Sequence, residues 1–319
     1  MNGQIDLDET KEYLLKLVPQ AGDILRGYFA SGKFTSESKG GVDFLTQADK
    51  EVDTFLLESI RKEYSRYPIL TEETAPKDYS SLKQLDNLWI VDPLDGTVNF
   101  SRHHPNFSIS VGLVDKGVSK LGVVYIPITE DLYYAQADKE GAFLNGEPIK
   151  VSSTKDLRET VLACDWSWIL EQRLSVVRWL GSIVIHVRQI KSMGSAVADL
   201  ASLANGRIDA YIHSGLKPWD VAASSLLIEK AGGKITTPSG RKWNVFEPEM
   251  LASNAILHKS MLDLIIATQK TPLSQSGDEC VKRLQSSEGN EQNNQRFSAA
   301  LVNLKTKPRA FSPRKFINK

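Results

Sequence analysis

Residues 88–97 of the chain read LWIVDPLDGT. The first four are large and apolar, and a short apolar run of this kind is typical of a buried β-strand. Asp92 follows where that strand is predicted to end, because Pro93 has no N–H to give to a sheet. Asp95 comes after a turn that proline and glycine favour. This arrangement is expected to aim both carboxylates and the carbonyl oxygen of Leu94 at one point.

These oxygen groups suit a cation, and the residues that follow suit an anion. Hard divalent cations prefer ligand sets made entirely of oxygen. Gly96 and Thr97 offer backbone N–H groups to an anion at the start of a predicted helical turn. The alternative interpretation is an ordinary strand-to-turn transition, since Asp-Pro and Asp-Gly pairs are both common in turns. The stretch alone leaves both interpretations open.

Further acidic residues occupy the ends of other predicted elements. Glu72 follows a short apolar run, and Asp49 and Asp220 each open a predicted helix. Each also has a purely structural explanation, as a solvated surface charge or a helix cap. If they converge with Asp92 and Asp95, the carboxylates repel one another unless cations lie between them. Mg²⁺, which prefers octahedral oxygen coordination, is the cation that this pattern predicts.

Outside these motifs the chain alternates helical and strand patterns. Predicted helices cover residues 8–30, 48–64, 194–204, 219–231 and 258–268. Predicted strands, besides the one that ends at Asp92, cover residues 107–114, 119–127, 131–137, 161–163, 208–212 and 250–253.

The composition is that of a globular enzyme, with 41% apolar and 24% charged residues. Lys plus Arg equals Asp plus Glu at 39 each, which disfavours a chain that binds nucleic acid along its whole length. The two cysteines, Cys164 and Cys280, indicate neither a disulfide framework nor a zinc site. The N-terminus has no apolar signal-peptide core, and no apolar run is long enough for a membrane helix. A cytoplasmic location is therefore predicted.

Five motifs together resemble the inositol monophosphatase family, from about residue 8 to residue 268. They are D43…T46…D49, T71-E72-E73, W89-I-V-D-P-L-D-G-T-V-N-F100, G194-S-A196 and W219-D-V-A-A223. Their order and separation make the resemblance specific. It implies a layered α/β/α/β/α sandwich of the α+β class, with mixed, largely antiparallel sheets.

The resemblance implies Mg²⁺-dependent hydrolysis of a small phosphate monoester, in the first place inositol monophosphate. A metal-activated water attacks in line, with two or three Mg²⁺ per site and sensitivity to lithium. It also implies a catalytic domain over residues 1–271, with subdomains of about 1–150 and 151–271. Residues 272–319 are predicted to be a mostly disordered tail with a basic end, because residues 274–296 are too polar to bury a core.

The family's functional residues map onto this chain by motif. The implied metal ligands are Glu72, Asp92, the carbonyl of Leu94, Asp95 and Asp220. Asp49, Thr97 and Glu72 carry the implied catalytic roles, Asp49 and Thr97 by orienting and deprotonating the water. The implied phosphate and substrate contacts are Asp95, Gly96, Thr97, Gly194, Ser195, Ala196 and His213.

Two positions depart from the family pattern. Thr71 stands where the family usually has glycine before the paired acids. His213 stands where inositol phosphatases commonly carry a glutamate that binds a substrate hydroxyl. A histidine can donate or accept a hydrogen bond there but adds no negative charge, so this contact differs from that of inositol phosphatases. A histidine without substrate contact is the alternative interpretation.

Other functions remain open at this stage. Relatives with the same core act on fructose 1,6-bisphosphate, histidinol phosphate or 3′-phosphoadenosine 5′-phosphate. An alternative of another class is a catalytically silent binding or regulatory relative, which the loss of a metal ligand would favour; every expected ligand is present. The predicted partner is a small-molecule phosphate, with no nucleic acid and no membrane, and the resemblance allows a homodimer.

Overall fold

The computed structural model describes residues 5–40 and 43–270, of which 5–37 and 44–270 form one compact unit. Seven α-helices are found in this part of the chain: α1 Leu7–Ser31, α2 Gln47–Glu63, α3 Thr97–Ser101, α4 Leu170–Ile183, α5 Ala196–Ala204, α6 Pro218–Lys230 and α7 His258–Lys270. The described strands are β1 Ser36–Gly40, β2 Asp43–Thr46, β3 Ile69–Thr71, β4 Leu88–Asp95, β5 Ser108–Asp115, β6 Val118–Ile126, β7 Asp131–Gln136, β8 Ala142–Leu144, β9 Glu147–Ile149, β10 Val161–Cys164, β11 Gln189–Lys191, β12 Ala210–Ser214, β13 Gly233–Thr236 and β14 Glu249–Asn254. The predicted tail, 272–319, lies outside the described residues, and the predicted subdomain division near residue 150 stays a prediction.

Two large mixed sheets organise the fold. The first has seven strands in the order β3-β4-β5-β6-β7-β8-β9, and only its β3–β4 pair is parallel. The second has five strands in the order β11-β10-β12-β14-β13, with β10 parallel to both neighbours and β14 antiparallel to both of its own. Strands β1 and β2 form a separate two-stranded sheet.

Three apolar cores join five layers. The first joins α1 and α2 to one face of the seven-stranded sheet, through residues such as Leu14 and Val52. The second fills the space between the two sheets, where α5 and α6 lie. The third packs α4 and α7 on the outer face of the five-stranded sheet, through residues such as Trp179 and Met261. The predicted α/β/α/β/α sandwich is confirmed.

Helix α1 follows directly from its sequence. Its apolar side chains recur at helical spacing, and Leu14, Val18 and Leu25 are fully buried. The Asp6 carboxylate accepts the backbone N–H groups of Asp8 and Glu9, which would otherwise have no partner in the first turn. No described helix is both long and apolar enough to cross a membrane.

Two glycines let α6 approach the seven-stranded sheet. Gly112 and Gly122 are directly opposite each other on β5 and β6. A Cβ on Gly122 would lie 2.6 Å from the carbonyl oxygen of Ala223, and one on Gly112 would lie 2.8 Å from the Cβ of Ala222. A hydroxyl group on β5 also holds this helix: Ser110 Oγ donates to Trp219 O at 3.2 Å. The absence of side chains at these two glycines therefore sets the position of the first turns of α6.

We expect Gly122→Ala to push α6 away from the sheet. The clash is with backbone, which cannot rotate away, so the free energy of unfolding should fall by about 1–3 kcal/mol. Urea unfolding of the variant measures this loss. Gly181→Ala, in α4, where a Cβ would meet no atom within 4 Å, serves as the control for an added methyl group and should not lower stability. Equal stability of Gly122→Ala and wild type would contradict the close-packing argument.

Candidate functional site

A β-bulge in β4 brings Asp92 and Asp95 to the same face of the sheet. Leu88 and Ile90 face α5 and α6, whereas Trp89 and Val91 face α1 and α2. Strict alternation would place Asp92 with the first pair but Asp95 on the opposite face. The register with β5 shifts between these two residues, since Asp92 pairs with Ser110 and Asp95 with Ser108. The extra residue on β4 reverses the alternation and turns Asp95 towards α5.

The strand predicted to end at Asp92 thus continues to Asp95. The sequence analysis predicted that both carboxylates point to one place, and they do. It attributed this to a turn, whereas in the structure a bulge at Pro93 and Leu94 aligns them. Leu94 packs into the core that contains α1 and α2, which fixes the bulge from the other side of the sheet.

Asp220 reaches the same point from the start of α6. Pro218 begins that helix, and the Asp220 carboxylate accepts the backbone N–H of Lys217 at 2.8 Å. The structural interpretation of Asp220 as a helix-capping residue is therefore correct. This capping role does not exclude metal binding by Asp220, since its two carboxylate oxygens can accept further contacts.

The three aspartates converge. Each of Asp92, Asp95 and Asp220 offers a carboxylate oxygen, and these oxygens all lie within 4.8 Å of one another. One of the Asp92 oxygens, Oδ2, is buried and faces no hydrogen-bond donor in the described part of the chain. Like charges this close, inside a protein, require a cation or protons. The donor set, all oxygen and negatively charged, fits a hard divalent cation.

The pKa values of the three carboxyl groups also indicate that the cluster needs a compensating cation. Burial, and then the charges of Glu72 and Asp95, raise the pKa of Asp92 well above its usual value. Burial, and then Asp95, raise that of Asp220 in the same way. Burial raises the pKa of Asp95 to about 6, against the opposing effect of its hydrogen-bond donors. Without a cation, ionising this group of carboxyls is costly.

Glu72 borders the cluster from the neighbouring strand. Its backbone N–H donates to Val91 O at 3.2 Å, so it continues β3 at the level of Asp92. Its charge raises the pKa of both Asp92 and Asp220, which places its carboxylate near them. It is not part of the group whose oxygens lie within 4.8 Å.

A hydroxyl group links the cluster to Asp49. Thr97 Oγ lies 3.2 Å from Asp49 Oδ1 and 3.1 Å from Leu94 O, and its single proton can serve one acceptor at a time. The other Asp49 oxygen accepts the backbone N–H of Thr46 at 2.9 Å and the Thr46 hydroxyl. Asp49 is fully buried and also closes the capping box of α2. Its position is thereby fixed, with one oxygen directed at Thr97.

The Gly96–Thr97 segment lies against the start of α5. Gly96 has a φ of 90°, and a Cβ there would lie 3.2 Å from both Gly194 O and Ser195 Cβ. Ser195 begins α5 as its cap, and Ala196 is the first helical residue. The Asp95 Oδ2 atom accepts the Ser195 hydroxyl and the backbone N–H of Val197, the latter at 2.9 Å.

His213 is buried, 7% exposed, on β12. Its ring is stacked on that of Tyr211, with centroids 6.1 Å apart and planes at 6°, and its Nδ1 has no partner among the described residues. Burial lowers its pKa to about 4, so the ring is neutral near neutral pH. Any contact with a substrate is therefore that of a neutral ring.

Some contributing residues were missed by the sequence analysis. Asn99 donates through Nδ2 to Asn106 O and to Met193 O, each at 2.7 Å, and so ties α3 to the segment before α5. Asn99 lies within the quoted 89–100 motif, but nothing in its spacing indicated a contact nearly a hundred residues away.

Comparison with known proteins agrees with this geometry. A sequence model of the inositol monophosphatase family matches residues 6–273. The chain belongs to this family. The inositol-1-monophosphatase of Bacillus subtilis (strain 168) is 35% identical over 229 residues, which cover 72% of this chain and 85% of that protein. At the level of the family, the chain is a phosphatase.

Other relatives carry other names. The fructose-1,6-bisphosphatase/inositol-1-monophosphatase of Thermotoga maritima is 32% identical over 258 residues, covering 80% of this chain and 94% of that protein. The Nus factor SuhB of Escherichia coli (strain K12) is 33% identical over 245 residues, covering 76% and 90%. Among solved structures, an IMPase of Thermotoga maritima has a TM-score of 0.72 at 31% identity, covering 82% of this chain and 98% of its own.

The raised pKa values predict how stability depends on pH when metal is absent. A carboxyl group whose pKa is higher in the folded state stabilises the fold below its unfolded pKa, and this contribution is lost as pH rises through the folded value. In EDTA at about pH 8, Asp220→Asn should therefore have a higher melting temperature than wild type. Calorimetric melts at about pH 4 and pH 8 measure this difference, which should shrink at the lower pH. A lower melting temperature of the variant at both pH values would contradict it.

Proposed function

We propose that the chain hydrolyses a small phosphate monoester, in the first place inositol monophosphate, with the help of Mg²⁺. The observation that carries the proposal is the convergence of Asp92, Asp95 and Asp220 on one point, with an unpartnered buried oxygen on Asp92. The proposed compartment is the cytoplasm.

Two or three Mg²⁺ ions would be held by Glu72, Asp92, Asp95, Asp220 and the carbonyl of Leu94. When bound, Mg²⁺ neutralises phosphate charge and makes hydroxide available from water near neutral pH. The cluster fits this role because its charges need compensation and its ligand atoms are all hard oxygens.

The other residues bind, orient and move protons. The Asp49 carboxylate and the Thr97 hydroxyl are proposed to hold the attacking water and take its proton, since one Asp49 oxygen faces Thr97 and the other is fixed by Thr46. The backbone N–H groups of Gly96 and Thr97 are proposed to bind phosphate oxygens. Gly194, Ser195, Ala196 and His213 are proposed to face the organic part of the substrate.

Names of relatives support two further candidates. The Thermotoga maritima protein is named for fructose 1,6-bisphosphate as well as inositol phosphate, and the neutral His213 offers no charge that would favour one over the other. The relatives named Nus factor SuhB support a regulatory role as the alternative of another class. The complete set of carboxylates favours the enzyme.

A substrate panel tests this proposal. Phosphate release should depend on added Mg²⁺, disappear in EDTA and fall in millimolar lithium. Inositol 1-phosphate should be hydrolysed with the highest kcat/KM among inositol, fructose, histidinol and nucleotide phosphates. A preference for another phosphate in the panel would change the proposed substrate but leave the proposed phosphatase activity intact. No release from any of them, with Mg²⁺ bound, would favour the regulatory alternative.

A further inference from the structure

The segment Ser192–Ser195 determines where one of the metal-binding carboxylates lies. It connects β11 to α5, and two of the three donors to Asp95 Oδ2 come from its end and from the first turn of the helix, namely the Ser195 hydroxyl and the Val197 N–H. The third donor is the Ser108 hydroxyl on β5, at 3.3 Å. A shift of this segment would move the first two donors together and leave Asp95 Oδ2 with Ser108 alone.

One side of the segment is fixed by two asparagines, Asn99 and Asn106. The carbonyl oxygen of Met193 accepts Asn99 Nδ2 at 2.7 Å and Asn106 Nδ2 at 3.0 Å. Gly194, with a φ of 74°, lies so close to Asn99 that a Cβ would come within 3.0 Å of its amide. A larger residue there would be strained by the positive φ and would have to displace the Asn99 amide.

The other side is fixed by Asp165, a residue to which the proposed chemistry assigns no role. Asp165 directly follows β10, and its Oδ1 accepts the Ser192 hydroxyl at 2.7 Å and the Gly194 N–H at 3.3 Å. Its charge also raises the pKa of Asp95, which places it near the site. The segment is thus held between two asparagines on one side and a carboxylate on the other.

A second buried carboxyl group, that of Asp199, lies near Asp165. Each of the two side chains has one buried oxygen that faces no donor group in the described residues. Burial, followed by the charges of Asp165 and Asp95, raises the pKa of Asp199 to about 8. The hydrogen bonds that hold the segment on this side come from Asp165.

We propose that Asp165 is a positioning residue that locks Ser192–Ser195 and thereby orients the Asp95 carboxylate. This inference rests on the proposed phosphatase function, because the orientation of Asp95 matters for catalysis only if Asp95 binds the metal.

Asp165→Ala removes the acceptor and should loosen the segment. Misplacement of a catalytic group by about 1 Å costs roughly 100-fold, so we expect kcat to fall about 10- to 100-fold and the half-saturating Mg²⁺ concentration to rise. Asp165→Asn should remain within about threefold of wild type, since its amide oxygen still accepts from Ser192 and Gly194. The rise in melting temperature caused by Mg²⁺ gives a readout independent of turnover.

Asp209→Ala is a matched control. Asp209 is equally a buried carboxylate that accepts one serine hydroxyl and one backbone N–H, from Ser152 and Val161, and it orients no residue of the site. Asp209→Ala should lower stability without changing the half-saturating Mg²⁺ concentration. The same loss of kcat in both alanine variants, or no rescue by Asp165→Asn, would overturn the positioning role. Full activity of Asp95→Asn would instead overturn the proposed function itself.

Discussion

Replacing Asp220 by Asn should lower phosphate release at least about a hundredfold while leaving the fold intact, the size of effect seen when one strong electrostatic contact is removed from a catalytic site. The amide oxygen can still accept the Lys217 N–H, so the start of α6 keeps its cap. What is lost is the negative charge where three carboxylates meet. Asp92→Asn should have an effect of the same order.

The measurement is steady-state phosphate release at saturating Mg²⁺, with circular dichroism to establish folding. Asp209→Asn provides the control for a neutralised buried aspartate away from the cluster. A folded Asp220→Asn protein that hydrolyses substrate at the wild-type rate would contradict the assignment of Asp220.

The second large effect is expected at Thr97. Thr97→Val keeps the size of the side chain but removes the hydroxyl that lies between Asp49 Oδ1 and Leu94 O. Loss of one positioned proton-transfer group costs about 10²- to 10⁴-fold, so kcat should fall by at least about a hundredfold. KM should change little, because the backbone N–H proposed to bind phosphate remains.

Thr97→Ser separates the hydroxyl from the shape of the side chain. It retains the donor and should recover most of the wild-type kcat in the same phosphate-release assay. If Thr97→Val and Thr97→Ser had equal rates, the hydroxyl would have no part in the reaction.

The sequence pattern predicted the elements that are long and strongly patterned, and the resemblance to the family predicted how they are layered. Helices α1, α2, α6 and α7, and strands β5, β6 and β7, lie within a few residues of their predicted limits. The elements missed were the short strands β1, β2, β3, β8, β9, β11 and β13, which have three to five residues each, and α4. Helix α4 leaves apolar residues such as Val177 exposed, so its periodicity is weak.

The site was only partly predictable for a different reason. The chemistry of the aspartates is local, so the residue types around Asp92 and Asp95 suggested a cation site, and the further motifs were needed to favour it over an ordinary turn. The bulge that aligns them depends on pairing with β5, which the sequence does not display. The roles of Asn99 and Asp165 depend on contacts with Met193 and Gly194, so only the folded chain reveals them.

Calorimetric titration of EDTA-treated protein with Mg²⁺ tests most directly whether the convergent carboxylates hold a divalent cation. Wild type should bind Mg²⁺ with measurable heat and release protons as pH falls towards the raised pKa values, since metal binding displaces protons from its ligands. Asp220→Asn should bind one equivalent less, or bind far more weakly. Identical titrations of the two proteins, or no heat from wild type, would contradict the account.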